Sequence, residues 1–189
     1  TRDTLSSDDC GNYVHLVTLT AWDICGNTSE HQFTITVQDT EGPQWDQAIP
    51  QDLTVECEMV PEPVVITATD NCTSNLNVQF TENNNVNEGC GTIERIWTVQ
   101  DGCGNVDSHT QLITVTDNTR PTLSGVPGNV TLNCQDNIPS APTVTASDNC
   151  DGDLTGSIVV GGDTVDTSVT GNYQITYNVS DAGSNAAVE

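Results

Sequence analysis

The sequence predicts an all-β chain built of small sandwiches in series, and three observations carry that prediction. Short segments alternate apolar and polar residues with period two, the pattern of half-buried strands. Thr, Val, Ile, Asn, Asp and Gly dominate, which is the vocabulary of strands and turns, and long amphipathic stretches at helical spacing are missing. Phrases also recur at a fixed interval: TATDNC at 67–72 returns as TASDNC at 145–150, seventy-eight positions later. TAWDICGN at 20–27 returns as TVQDGCGN at 98–105 and more loosely as NVSDAGSN at 178–185, and VQDTEGP at 37–43 returns as VTDNTRP at 115–121. A period of this length marks a serial array of similar units.

The interval divides the chain unevenly. Residues 1–39 match only the second half of a unit, 40–117 form one complete unit, and 118–189 match a unit whose last strand is cut short. A half-unit cannot bury its own apolar face, so the chain reads as a window onto a longer array whose native start lies upstream of Thr1. In the first unit Val17, Leu19 and Ala21 are expected on one face. In the second, strands are expected near 52–57, 64–69, 76–82, 92–100 and 108–116. IERIWTVQ (93–100) sends Ile93, Trp97 and Val99 into the core, with Arg95 breaking the pattern at a strand edge. Its third-unit counterpart presents Tyr173, Ile175, Tyr177 and Val179. Trp22 and Trp45 are expected to pack at junctions. The strand spacing and turn signals predict tandem Ig-like β-sandwich domains in a linear array. Units under about eighty residues bury modest cores and often recruit disulfides or metal ions as staples.

Charge narrows the partners. Twenty-seven acidic residues face three basic ones (Arg2, Arg95 and Arg120), for a net charge of −24. That balance excludes ordinary nucleic-acid or anionic-membrane binding, which needs a basic footprint, and no run of eighteen apolar residues exists for membrane insertion. Up-and-down strand order gives the acids a common address. Asp70 closes the second strand of its unit and Asp101 the sixth, so both fall at the N-terminal pole, where Asp39 and Glu41 arrive from the preceding linker. The next junction repeats this set with Asp117, Asn118, Asp148 and Asp181, and Asp151 and Asp153 add oxygens. Asp23 serves a junction upstream. Two carboxylates about 5 Å apart at an effective dielectric near 20 repel by roughly 3 kcal/mol. Calcium, which takes six to eight oxygen ligands, is the expected counter-ion, and magnesium's stricter geometry fits less well.

The linker D-x-x-x-P, the turn in TATDNC and the turn in TVQDGCGN resemble cadherin-type junctions, where corresponding acids hold calcium between domains. LTVECEMVPEPVVITATDNC and RIWTVQDGCGN more closely resemble the hyalin-repeat-like and Ig-like tandem modules of giant bacterial cell-surface adhesins, including the Bacteroidetes gliding-motility type. VTASDNCDGDLTGSIVV with GNYQITYNVSDAGSN resembles a cysteine-poorer bacterial Ig-like relative. The cysteines, and a ligand set smaller than cadherin's, depart from the cadherin pattern. The resemblance implies an extracellular, surface-bound stalk and O-glycans on D-S/T-x sites, with Thr4 and Thr164 as candidates. The sequons at Asn27, Asn71, Asn129 and Asn178 are expected to stay unmodified in a bacterial protein.

Eight cysteines with no C-x-x-C pair suit disulfides in an oxidising compartment. Strand direction puts Cys57 and Cys90 at one pole and Cys72 and Cys103 at the other, favouring Cys57–Cys90 with Cys72–Cys103. Pairing of sequence neighbours is the alternative, because the third unit keeps Cys134 and Cys150 with no partner under the first scheme. No enzyme is expected. His15, His31 and His109 are too scattered for a histidine metal site. Asp107, Ser108 and His109 are strand neighbours that point to opposite faces, and no phosphate-binding loop or nucleophile elbow occurs. The expected role is a secreted adhesin or surface filament, contacting an unidentified surface, glycan or protein and stacking against neighbouring repeats of its own chain. A spacer or carbohydrate-binding appendage of a secreted hydrolase is the alternative.

Overall fold

The computed structural model describes residues 1–8 and 10–187. Among these the chain forms strands and two short 3₁₀ turns. In chain order the strands are β1 (Arg2–Ser7), β2 (Tyr13–Trp22), β3 (Thr28–Val37), β4 (Gln44–Trp45), β5 (Leu53–Glu56), β6 (Ala68–Thr69), β7 (Gln79–Asn84), β8 (Gly91–Gln100), β9 (Val106–Thr116), β10 (Thr122–Ser124), β11 (Thr145–Asp148), β12 (Gly152–Asp153), β13 (Val159–Gly162) and β14 (Ile175–Asn178). The fold is all-β. No helix among the described residues is long and apolar enough to cross a membrane.

In the middle of the chain the sheet order is β5-β9-β8-β7, with β5 parallel to β9 from Leu53↔Ile113 to Glu56↔Thr116. β4 instead pairs antiparallel with β6. β4 and β5, with only residues 46–52 between them, thus join different sheets. β8 shows why this sequence makes a strand: Ile93, Trp97 and Val99 alternate inward, each at most 3% exposed.

Contacts divide the chain into two compact units, one of Thr1–Gln51, Pro63–Glu82 and Glu94–Gln111, the other of Asp52–Glu62, Asn83–Ile93 and Leu112–Glu189. In the first, β1, β2 and β3 form an antiparallel sheet with β2 and β3 in register from Tyr13↔Val37 to Trp22↔Thr28. Of the three residues expected to share a covered face there, only Val17 is buried. Leu19 is 56% exposed, Ala21 is exposed, and β3 is open along its length. Trp22 is likewise 73% exposed rather than packed, and Trp45 is half-buried. Among the described residues β1, β2 and β3 form a three-stranded sheet of their own.

The same unit buries Ile66 and Trp97. The Trp97 ring lies 5.2 Å from Phe80 and stacks at 6.1 Å on His109, and its indole N–H donates to the Val64 carbonyl at 3.2 Å. Arg95 corrects the expectation of an edge position. It lies on β8, an interior strand, and is 4% exposed with its Nε donating to Glu82 Oε2 at 2.8 Å. The strand expected over 64–69 shrinks to Ala68–Thr69. Side chains and an isolated amide take the carbonyls that a ladder would use: Val64 bonds Trp97, Val65 bonds Gln47, and Thr67 accepts from the Asp46 N–H.

In the second unit Ile93, Ile113 and Val115 form a core cluster against Leu53, Val55, Val60 and Val86. Sheets β10-β11-β12 and β13-β14 complete it, burying Ala146, Tyr177 and Val179. Ile175, expected with them, is 48% exposed.

The disulfides differ from both expected schemes. Cys10 bonds Cys103 and Cys57 bonds Cys150, with Cα atoms 5.0 and 5.9 Å apart, while Cys25, Cys72, Cys90 and Cys134 are free thiols. Each bond lies within one compact unit, Cys10–Cys103 in the first and Cys57–Cys150 in the second, and each joins segments 93 residues apart.

Candidate metal centres

Each acidic cluster is assembled from turns whose shape the sequence dictates locally. In the turn after β8 the Asp101 N–H donates to the Asn105 carbonyl at 3.0 Å and the Asn105 N–H returns to Asp101 Oδ1 at 2.8 Å. Asp181 and Asn185 repeat the pair at 3.1 and 2.7 Å, and Asp23 and Asn27 at 3.0 and 2.9 Å. The turn needs a left-handed residue just before its Asn, supplied by Gly104 (φ +94°), Gly26 (φ +87°) and, against its usual preference, Ser184 (φ +67°). The turns after β6 and at the end of β11 are built alike. Asp70 Oδ1 accepts the N–H groups of Cys72 and Thr73, and Asp148 Oδ1 those of Cys150 and Asp151.

The first unit brings Asp39, Asp70 and Asp101 together, with one oxygen from each inside a 4.8 Å span. The second brings Asp117, Asp151 and Asp181 within the same span, and Asp117 with Asp148 and the disulfide sulfur of Cys150. Other expected ligands stand apart. The Asn118 amide is turned to Glu56, donating to Oε1 at 2.7 Å, and Asp153 accepts the Thr155 N–H at 2.9 Å in an exposed strand. Glu41 is exposed and receives the Asn71 amide at 3.3 Å. Asp23 sits in its own exposed turn, where the Asn27 amide, then the Asn27 backbone, hold its carboxyl below the usual carboxylate range.

The clusters carry a division of labour within each carboxylate. In every one but Asp101, one oxygen accepts a backbone N–H and the other is buried with no hydrogen-bond partner among the described residues: Asp39 Oδ2, Asp70 Oδ2, Asp117 Oδ2, Asp148 Oδ2, Asp151 Oδ1 and Asp181 Oδ2. Asp117 and Asp181 are themselves only 5% and 7% exposed. Buried anionic oxygens with neither hydrogen bond nor counter-ion are costly, and hard cations are what such oxygens accept. The second cluster offers four, the first two. Asp101 accounts for part of the difference, because its Oδ2 accepts the Asn105 amide at 2.8 Å, whereas the Asn185 amide turns to the Asp117 carbonyl. Asn105 also clamps the Glu41 carbonyl at 2.9 Å. These two asparagines lock the linkers and were not singled out from sequence, although the recurring D-x-x-x-N spacing carries the signal.

Burial, then repulsion from Asp148, Asp181 and Asp151, pushes the Asp117 carboxyl above its usual range, despite the Thr119 N–H, which lowers it. Burial pushes Asp101 up too, but the Asn105 side chain and backbone outweigh it and leave the group below its usual range. The sign of the pH dependence follows. Between the unfolded and the raised folded pKa of Asp117, the native state binds more protons, so metal-free stability rises as pH falls through that window. Below the ordinary aspartate range the lowered groups reverse the trend. Melting curves of metal-free protein are expected to pass through a maximum on acidification, and Asp117→Asn is expected to abolish the rise.

Residues 136–189 match a family model for the Ig-like domain of bacterial surface proteins. That similarity agrees with the all-β fold and supports a cell-surface or extracellular location. Comparison with curated proteins gives no match.

Proposed function

We propose that this chain is a segment of a secreted cell-surface adhesin or filament, an extended stalk of Ig-like repeats rigidified by calcium and by disulfides at each junction. The observation that carries the reading is the set of buried, unpartnered carboxylate oxygens where a linker meets two turns of the following repeat. Asp117, Asp148, Asp151 and Asp181 would hold one ion, and Asp39, Asp70 and Asp101 another with fewer protein oxygens. A bound ion would neutralise the repulsion and tie linker to turns. Its loss frees the linker to bend. Two disulfides and the similarity of residues 136–189 to bacterial surface modules support an oxidising, extracellular setting.

Small-angle scattering with calcium and then with chelator tests the proposal. The maximum dimension is expected to fall on chelation and to recover when calcium returns, and an unchanged profile counts against it. Asp181→Asn removes one carboxylate from the four-oxygen cluster. It is expected to weaken calcium binding there about tenfold or more, roughly 1.4 kcal/mol, while leaving the other cluster's affinity in place.

A further inference from the structure

Both disulfides span the same interval: Cys10 to Cys103 and Cys57 to Cys150 are each 93 residues apart. The period of the repeats is close to seventy-eight, so each bond advances by one repeat and part of another. Two kinds of donor and two kinds of acceptor are involved. Cys10, in the β1–β2 hairpin turn, corresponds to Cys90 in the β7–β8 turn, and each is followed by a left-handed glycine (Gly11, φ +94°; Gly91, φ +150°). Cys57, after β5, corresponds to Cys134 in the third repeat. Among acceptors, Cys103 corresponds to Cys25 in the D-x-x-x-N turn, and Cys150 to Cys72 in the turn after Asp148 and Asp70.

We infer that cysteines in this array pair by position type across consecutive repeats, and that Cys90 is the single thiol the scheme leaves over, because its partner's place is taken by Gly183. The substitution sits on an otherwise conserved construction. Asp181 and Asn185 reproduce the hydrogen bonds of Asp101 and Asn105 on either side of it. The Ala182 N–H donates to Asp151 Oδ2 at 2.7 Å just as the Gly102 N–H donates to Thr73 Oγ1 at 3.1 Å. The turn bearing Cys90 also reaches the neighbouring repeat's cysteine turn, since a Cβ on Gly89 would come within 2.5 Å of Cys150 Cβ. Shifted by the same interval, the positions that would pair with Cys25, Cys72 and Cys134 fall outside residues 1–189. This assignment rests on the repeat reading and is independent of calcium.

Each bond forms when two thiols lose two protons and two electrons to a small-molecule disulfide, which leaves as two thiols. Refolding Gly183→Cys with such an oxidant, then alkylating and mapping peptides without reduction, tests the scheme. In the unaltered chain Cys25, Cys72, Cys90 and Cys134 are alkylated. In the variant the introduced thiol is expected to bond Cys90, which drops out of the alkylated set. An introduced thiol that stays free, or that bonds another cysteine, overturns the inference. A Cβ at 183 would lie 2.9 Å from the Asp117 carbonyl oxygen and from the Asn185 amide, so the linker must shift to admit it. Should that variant not fold, Cys103→Gly decides, because it places the Gly183 situation one repeat earlier. Cys10 is then expected as a free thiol with Cys57–Cys150 intact, and a Cys10–Cys72 bond overturns the scheme. Calcium affinity at the second cluster, measured on the unaltered protein, separates this outcome from failure of the calcium proposal.

Discussion

Replacing Trp97 by alanine is expected to cost about 3–5 kcal/mol and to lower the melting midpoint by roughly 15 °C or more. The ring is 2% exposed, ranks among the largest fully buried side chains, and is gripped on two sides by Phe80 and His109. Its removal leaves a cavity beside the Phe80 and His109 rings. It also strips the Val64 carbonyl of its only described side-chain donor. Trp97→Phe separates the two contributions: it keeps most of the packing and loses the indole hydrogen bond, so a cost of about 1–3 kcal/mol is expected. Urea unfolding of the three proteins side by side provides the test. A loss under about 1 kcal/mol for the alanine variant would mean that the aromatic cluster is not what holds the first unit together.

Removing the Cys57–Cys150 bond, by paired substitution with serine, is expected to cost about 4–5 kcal/mol, because closing a loop of 93 residues strongly restricts the unfolded chain. The bond does more than shorten that loop. Cys150 lies in the turn that Asp148 organises by accepting the Cys150 N–H at 2.7 Å, so loosening it also loosens one wall of the four-oxygen cluster. On the calcium proposal, affinity at the second cluster is therefore expected to fall along with stability, while the first cluster keeps its affinity. Serine variants of Cys10 and Cys103 should show the converse, weakening the first cluster only. Denaturant titration and calorimetric calcium titration of both pairs read the two effects separately. Equal losses at both clusters from either pair would rule out local coupling.

The D-x-x-x-N and D-N-C turns illustrate what local chemistry can specify. An aspartate that accepts N–H groups two to four residues ahead forms its turn wherever the motif occurs, which is why Asp23, Asp101 and Asp181 adopt one geometry in three different surroundings. Asp39, Asp70 and Asp101 converge, and Asp117 meets Asp151 and Asp181 in one group and Asp148 in another, because the turns that carry them come together from distant parts of the chain. Asn118 and Asp153 carry the same chemistry and were expected beside them. A long-range partner, Glu56, claims the first, and the second belongs to a strand that points it outward.

Sequence by itself determined the all-β character, the repeat interval and the acidic turns, since strand alternation and side-chain-to-backbone hydrogen bonds act over a few residues. Tertiary structure alone decided which cysteines bond, that Arg95 is buried against Glu82, that residues 64–67 give up their ladder, and that β3 lies open. Each of these depends on a group far away in the chain, whose arrival is set by how whole strands pack and by which facing strands are present, and no short window of sequence contains that information.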